Sequence, residues 1–577
     1  MHTLHAHINP ISSPIVRQRY SLFLLANLFS TYDAYHANLN IVALSRAGNV
    51  HAARKLFDKT PTRDIVSWNT MLSAYWQNGL LEHSRTLFNS MPLKNTVSWN
   101  SMISACLQNN MLDDAFHYFA AMPERNTTSY NAMISGFVKF GRVGEAQKLF
   151  QEMPFPNVVS YTAMIDGYAR MEGGAVGIRR ARALFEAMPR RNEVSWTVMI
   201  NGLVQNGLCE EAWKLFERMP QKNDVTRTAM ITGFCKQGKM DEAIRLFREI
   251  KCRDRVSWNI MITGCAHNGR GEEALNLFSQ MVKAGMQPDD LTFVSLFTAC
   301  ASLASLEEGR QMHCLVIKHG FNSDLSVSNA LVTMYSKCGG IVDSELAFRQ
   351  TSHPDVVSLN TIIAAFAQHG LYDKARAFFD QMVTVSVQPD GITFLSLLSA
   401  CCRVGKVDES MNLFSLMVHN YGIPPRSEHY ACLVDVMSRA GQLQRACKII
   451  QEMPFKADSG IWGAVLKACS LHLNVELGEL AARRILELDP CNSGAYVMLS
   501  NIYASAGKWK DVNRIRFLMK EQGVKKQRAY SWLQIGNKIH CFLGGDPSHP
   551  NINDIHVALR RITLHMEVKC DYGETFM

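Results

Sequence analysis

No aspartate or glutamate occurs in the first 32 residues, although Arg17, Arg19, His2, His5, His7 and several serines do. An acid-poor start with arginine and serine has the composition of an organelle transit peptide, so residues 1–33 are expected to be a targeting leader rather than a merely ragged terminus. A secretory signal is the weaker reading, because the cysteines look reduced. The 16 cysteines are scattered and no two form a CxxC pair, which argues against a disulfide framework or a zinc ribbon. Cys106, Cys300, Cys401 and Cys469 share one helical slot, in SAC, TAC, SAC and KAC, and read as small core residues. Long apolar runs are missing too. Ser21–Ser30 is too short for a span and contains an asparagine, so no membrane contact is expected.

Catalytic constellations are also lacking. A zinc nucleobase deaminase needs H-x-E and a later P-C-x-x-C. His565-Met566-Glu567 supplies the first part, but only Cys570 follows it, and zinc would lack its remaining ligands. His549 and Asp546 in the loop GGDPSHP (544–550) read as structural rather than as an acid–base pair. No catalytic residue, metal ligand or cofactor is therefore expected, and the chain reads as a non-enzyme.

What is present is repetition. The stretch Ile65–Asn95, IVSWNTMLSAYWQNGLLEHSRTLFNSMPLKN, recurs along most of the 577 residues. Trp68, Trp99, Tyr130 and Tyr161 hold equivalent places. The slot continues at Trp196, Arg227, Trp258, Phe293, Ser328, Leu359, Phe394 and Tyr430. Self-similarity at this period marks a solenoid. In each unit Trp68, Met71, Leu72 and Tyr75 fall on one face of a first helix. Asn78-Gly79 breaks it, a second helix carries Leu81, Ser84, Leu87, Phe88 and Met91, and Pro92 stops that one. A lone hairpin cannot bury its apolar face, so neighbours must stack on it. The fold class expected is all-α, a right-handed superhelical α-solenoid of helix-turn-helix repeats. A net charge of +9 and a pI near 8.8 suit a polyanionic partner without proving one.

The VSWN, LF–EMP and QPD signatures resemble those of the plant organellar pentatricopeptide repeat family, and the mixed repeat lengths resemble its PLS subclass. Thirteen repeats fit between residues 34 and 458, at 34–64, 65–95, 96–126, 127–157, 158–192, 193–223, 224–254, 255–289, 290–324, 325–355, 356–390, 391–426 and 427–458. The 158–192 unit carries extra residues around MEGGAVGIRR, whose glycines suggest a bulged loop. From Ser459 the pattern changes. Residues 459–525 resemble tetratricopeptide-like hairpins of an E extension, which either bind protein or cap the solenoid. Residues 526–577 resemble an E+ segment with a small β-hairpin around Gly536-Asn537, although Arg528-Ala529 replaces the usual Pro-Gly before Ser531-Trp532. By this resemblance the chain stops close to where a DYW deaminase domain would begin.

The resemblance also implies which side chains matter. The fifth and last residues of a repeat would together face one base of single-stranded organelle RNA. These pairs are Asn38/Asp64, Asn69/Asn95, Asn100/Asn126, Asn131/Asn157, Thr162/Asn192, Thr197/Asn223, Thr228/Asp254, Asn259/Asp289, Asn329/Asp355 and Asn360/Asp390. Val294/Asp324, Leu395/Arg426 and Ala431 fall outside the clear part of the code. By the family's rules the array reads U, three pyrimidines, A, A, G, U, any base, U, U. Asn and Asp before helices also serve as N-caps, but capping alone does not need two slots with a restricted alphabet. Lys139, Lys236 and Lys337 near first-helix ends are candidates for phosphate contacts. The function expected is site recognition for C-to-U editing in the mitochondrion, with the chloroplast as alternative. A deaminase-bearing repeat protein or another editing factor would be recruited through 459–577. The other readings are an RNA splicing or stability factor and a protein-binding scaffold.

Overall fold

The computed structural model describes residues 34–571 except 62, 173, 525–529, 536–537 and 544–548. The expected leader at 1–33 and Asp546 lie outside them. The fold is an all-α solenoid of helical hairpins, and the chain divides into two compact units, Met1–Ala299 and Cys300–Met577.

Each hairpin is built by the same local chemistry. In the first unit, Asp64 stands extended before the helix Ile65–Gln77 and its carboxylate accepts from the Ser67 amide, satisfying one orphan donor of the first turn. The helix ends where Gly79 takes φ +76°, a left-handed backbone that glycine adopts without strain. The second helix, Leu81–Ser90, stops with Met91 extended at ψ 125°. The following Pro92 drives its predecessor out of the helical region. The pattern returns at Thr96–Gln108 with Leu112–Ala121, Thr127–Lys139 with Val143–Glu152, and onward.

Two recurring contacts set the joint between hairpins. The aromatic at the fourth position of a repeat meets, edge to face, a phenylalanine from the preceding second helix. The pairs are Phe57–Trp68, Phe88–Trp99, Phe119–Tyr130, Phe150–Tyr161, Phe185–Trp196 and Phe247–Trp258, with centroids 4.9–5.2 Å apart. Each such pair adds on the order of 1 kcal/mol beyond its buried area. Over the same phenylalanines lie the basic residues that precede the last position, Arg63, Lys94, Arg125, Arg191 and Arg253. Arg125 also donates to the Phe119 and Ala120 carbonyls at 3.0 Å, capping the second helix; Arg191 and Arg253 do the same in their repeats. The connector is thereby stapled, and the last residue of the repeat with it.

First helices of neighbouring repeats pass closely at their tenth residue. There Gly136, Gly167, Gly202 and Gly264 face Leu107, Val138, Ala169 and Cys235 so closely that an added Cβ would overlap them, and Gly233 lies tightly against Cys209 and Val204. The insertion in 158–192 does not form the expected loop. The helix Val158–Gly167 passes into a π-helical turn at Tyr168–Glu172, and Gly174–Ala187 is helical again. The second helix has 14 residues where its neighbours Val143–Glu152 and Cys209–Arg218 have 10, so most of the extra residues lengthen it at its start, and the π-turn takes up the remainder at the end of the first helix.

In the second unit the helices Ser459–Leu471, Val475–Leu488, Ser493–Ser505 and Trp509–Glu521 continue the stack. One hydrophobic cluster holds Val434, Met437 and Leu443 together with Ile461, Val465, Ala482, Tyr496, Tyr503 and Ile515. Strands Tyr530–Ile535 and Lys538–Leu543 pair antiparallel, with Trp532 opposite Cys541, and the helix Ile552–Asp571 follows. The four slot cysteines are fully buried, and burial pushes the thiols of Cys106 and Cys469 up to about 11 and those of Cys300 and Cys401 up to about 12. No helix among the described residues is long and apolar enough to cross a membrane.

Candidate nucleic-acid interface

The last residue of each repeat is also the N-cap of the next first helix. Asn95, Asn126, Asn157, Asn192, Asn223, Asp254 and Asp355 each accept from the amide three residues on. Capping thus accounts for the Asn and Asp at this position as folding residues. It does not account for the fifth residue, which comes from the middle of the preceding helix and meets the cap side chain.

Five pairs are joined directly. The Nδ2 of the fifth residue donates to the last residue at 3.1 Å in Asn69–Asn95, 3.4 Å in Asn100–Asn126 and 3.1 Å in Asn131–Asn157. The Asn259–Asp289 and Asn360–Asp390 bonds are both 2.9 Å. A third group completes the arrangement, the hydroxyl at the third position of the following repeat. Ser98 Oγ lies 2.7 Å from Asn69 Oδ1 and 2.9 Å from Asn95 Oδ1. Ser160, Thr292 and Thr393 reach Asn131, Asn259 and Asn360 at 2.5–2.7 Å. These hydroxyls are essentially buried, so each pair is fixed from below.

The threonine pairs are arranged differently. Thr162, Thr197 and Thr228 bond their own helix, to the carbonyls of Val158, Glu193 and Asp224, at 2.8 Å. Among the described residues no side-chain hydrogen bond joins them to Asn192, Asn223 or Asp254, nor Asn38 to Asp64 or Asn329 to Asp355. In the Thr197 repeat the Thr226 hydroxyl stands between the two, 3.0 Å from Thr197 Oγ1 and bonded to Asn223 Oδ1. The Asn38 and Asn100 carbonyl oxygens are buried without a partner among the described residues.

Apolar walls flank the pairs. Val66, Val97, Val159, Val194, Val225, Val256, Leu291, Val357 and Ile392, each the second residue of a repeat, are 49–66% exposed. Two open depressions show the resulting slot. One of about 470 Å³ is lined by Val66 and Val97 on either side of Asn69 and Asn95; the other, about 260 Å³, by Val357 and Ile392 around Asn360 and Asp390. Each is large enough for a planar base held between aliphatic side chains with its polar edge on the pair.

Three slot carboxylates ionise more readily than an ordinary aspartate. Burial opposes ionisation of Asp289 and Asp390, but hydrogen bonds from Thr292 and Asn259, and from Thr393 and Asn360, outweigh it and hold both below the ordinary carboxylate range. Asp355 is likewise lowered, chiefly by the Ser358 amide. Lys139, Lys236 and Lys337 sit exposed in the last turns of their first helices.

Sequence profiles of the PPR repeat match residues 66–95, 97–127, 194–224, 221–251, 392–421 and 428–456, and that of the PPR repeat family matches 125–170, 253–302 and 354–403. Together they take in more than half of the chain. The chain belongs to the pentatricopeptide repeat (PPR) family. An E motif also matches at 472–534, so this is a PPR protein with an E-type C-terminal region. Among its relatives in Arabidopsis thaliana, pentatricopeptide repeat-containing protein At2g13600 is 42% identical over 293 residues, covering 50% of this chain and 42% of that protein. The chloroplastic protein At3g49170 is 41% identical over 294 residues (51% and 34%), and the mitochondrial At1g53600 is 41% identical over 289 (50% and 40%). The matched part thus spans less than half the length of each of these three relatives. Among solved structures, that of PPR10 in complex with an 18-nt psaJ RNA element superposes with a TM-score of 0.55 at 16% identity, covering 85% of this chain and 84% of that one. That likeness is one of fold.

Sequence reasoning singled out the fifth and last positions of this PPR chain but passed over the second and third. Their signal lay within the VSWN motif itself: an aliphatic residue followed by a hydroxyl, kept from Val66-Ser67 through Ile392-Thr393 with few exceptions.

Proposed function

We propose that this chain is a sequence-specific, single-stranded RNA-binding protein of a plant organelle. It positions a transcript for C-to-U editing by a deaminase that a partner brings to residues 459–577. The observation that carries the RNA reading is the slot of two aliphatic walls over a buttressed polar pair. A nucleobase has two apolar faces and one hydrogen-bonding edge, and single-stranded RNA is the form that exposes them. The exposed lysines beside the slots add a sequence-independent attraction for phosphate, which weakens as salt rises. The fold likeness to PPR10, whose structure holds an RNA element, supports the same reading, and the E motif supports the editing role. Relatives named chloroplastic and mitochondrial support an organellar location.

Assigned from the fifth and last residues alone, repeat by repeat from 34–64 to 356–390, the target reads 5′-U-Y-Y-Y-A-A-G-U-N-U-U-3′, with Y a pyrimidine and N any base. The purified chain should bind an oligonucleotide of this sequence more tightly than a shuffled one of equal composition at the same salt. Equal affinity for the two would overturn sequence-specific reading. Editing is tested separately by sequencing organelle transcripts of plants lacking the protein. Loss of conversion at a C four nucleotides beyond the base assigned to repeat 427–458 is expected, and unchanged conversion at every site would remove the editing role.

A further inference from the structure

Repeats 255–289 and 356–390 carry the same fifth and last residues, Asn259/Asp289 and Asn360/Asp390, in the same geometry. Both amide-to-carboxylate bonds are 2.9 Å, and both are buttressed by a threonine, Thr292 or Thr393, from the following repeat. They differ in the first residue. In 356–390 it is Val356; every hydrogen bond to Asp390 ends on Oδ1, from Asn360, Ile392 and Thr393, so Oδ2 has no protein partner among the described residues. In 255–289 it is Arg255, whose Nε lies 3.2 Å from Asp289 Oδ2. Both oxygens of Asp289 are therefore engaged.

A cation in the first turn works against the helix dipole, so nothing in the local helix asks for arginine at this place. Nor is the reach peculiar to this repeat. Glu193, the first residue of 193–223, accepts from Asn223 Nδ2 at 3.4 Å, and Ser427, the first residue of 427–458, donates to Asp458 at 2.8 Å. The backbone sets the first and last residues of one repeat side by side.

We propose that the first residue of a repeat is a third determinant of base choice, and that Arg255 makes 255–289 a site for either pyrimidine while the matching pair in 356–390 selects U. This rests on the RNA-reading function proposed above. A free carboxylate oxygen accepts the N3–H of uracil and repels the N3 lone pair of cytosine. With Asp289 Oδ2 occupied, the edge of the slot presents guanidinium N–H donors instead, and a guanidinium has only donors to offer. These serve the O2 and N3 of cytosine as well as the carbonyls of uracil. Arg255 acts through Asp289 and at the slot edge, with its side chain 57% exposed, so it can be replaced without opening the core.

The test measures binding of the full chain to RNAs carrying U or C at each of the two registers, in unmodified protein and in Arg255→Val and Val356→Arg. In unmodified protein U should be preferred about tenfold at the 356–390 register, the worth of one hydrogen bond to a charged group, with little preference at 255–289. Arg255→Val should bring about the same preference to its register, and Val356→Arg should remove it from the other. If the 356–390 register discriminates but neither substitution moves the ratio, the role of the first residue is refuted while RNA reading stands. If no register discriminates any base, the RNA reading fails and this inference with it.

Discussion

Ser98 buttresses the polar pair of the repeat before its own. Its buried hydroxyl touches both Asn69 and Asn95, and Ser98→Ala leaves Asn69 Oδ1 without a donor, while Asn95 Oδ1 keeps the residue-98 amide and Asn69 Nδ2. A loss of about 1–3 kcal/mol in folding stability is expected, the cost of an unsatisfied buried polar group, and denaturant unfolding would measure it. The same change should loosen base preference at the 65–95 register alone. Asp254 offers the opposite kind of test, because folding should not notice it. Its carboxylate caps the Ser257 amide at 2.9 Å, and asparagine caps a helix as well as aspartate does. Asp254→Asn should move the preferred base at the Thr228 register from G towards A by about 1 kcal/mol, the low end for a specific base contact. Binding measured with all four bases there checks it, and an unmoved preference would refute the assignment. The fifth and last positions stood out in the sequence because their alphabet is restricted and their spacing fixed, and in five repeats the two side chains meet. The hydroxyls were not, because a serine after an apolar residue in the first turn looks like any helix start. Only the third dimension shows that Ser98 serves Asn69, 29 residues earlier.

Among elements, helix boundaries were well marked because glycine and proline carry backbone constraints that no packing overrides. The stops at Gly79 and before Pro92 are local facts, and they fall where the sequence puts them. The run MEGGAVGIRR was misjudged for a related reason. Two glycines permit a loop, yet Ile178 and Ala181 were needed in the core, and burying them kept the segment helical. The close approach of first helices was not legible at all, since a glycine at the tenth position reads as a weak helix former until the neighbouring helix is seen. Gly202 faces the Cβ of Ala169, which has no rotamer to swing away, whereas nothing lies within 4 Å of a Cβ placed on Gly144. Gly202→Ala should therefore cost about 1–3 kcal/mol by overpacking. Gly144→Ala should be neutral or slightly stabilising, through its higher helix propensity. Thermal unfolding of the two variants side by side separates these effects, and equal behaviour would mean that the helices can part without cost.

For the whole molecule, the change of pattern at Ser459 is plain in the sequence, but the hydrophobic cluster runs straight through it, from Val434 and Leu443 to Ile461 and Ile515. Both kinds of hairpin supply apolar residues to the one cluster. A deletion of 459–577 therefore exposes core, while a deletion of 525–577 does not cut this cluster. We expect the shorter deletion to abolish editing in vivo with RNA affinity retained. The longer one should also lower the melting temperature and weaken binding at the 3′ end of the target. Comparable RNA affinity and stability for both would show that 459–524 contributes nothing to the fold of the array.

The borrowed hydroxyl has a consequence for how such a chain is copied. A pair finished by its neighbour would seem to forbid the gain or loss of a repeat, since every unequal crossover creates one new seam. But the neighbour offers the same small hydroxyl at its third position almost throughout, from Ser67 to Thr393, with Val327 and His429 as departures. A duplicated unit thus meets the same kind of hydroxyl at most seams, the kind that completes the pair in Ser98, Ser160, Thr292 and Thr393. Gain or loss of a whole repeat should therefore disturb the fold least where a hydroxyl follows the seam, and most just before Val327 and His429.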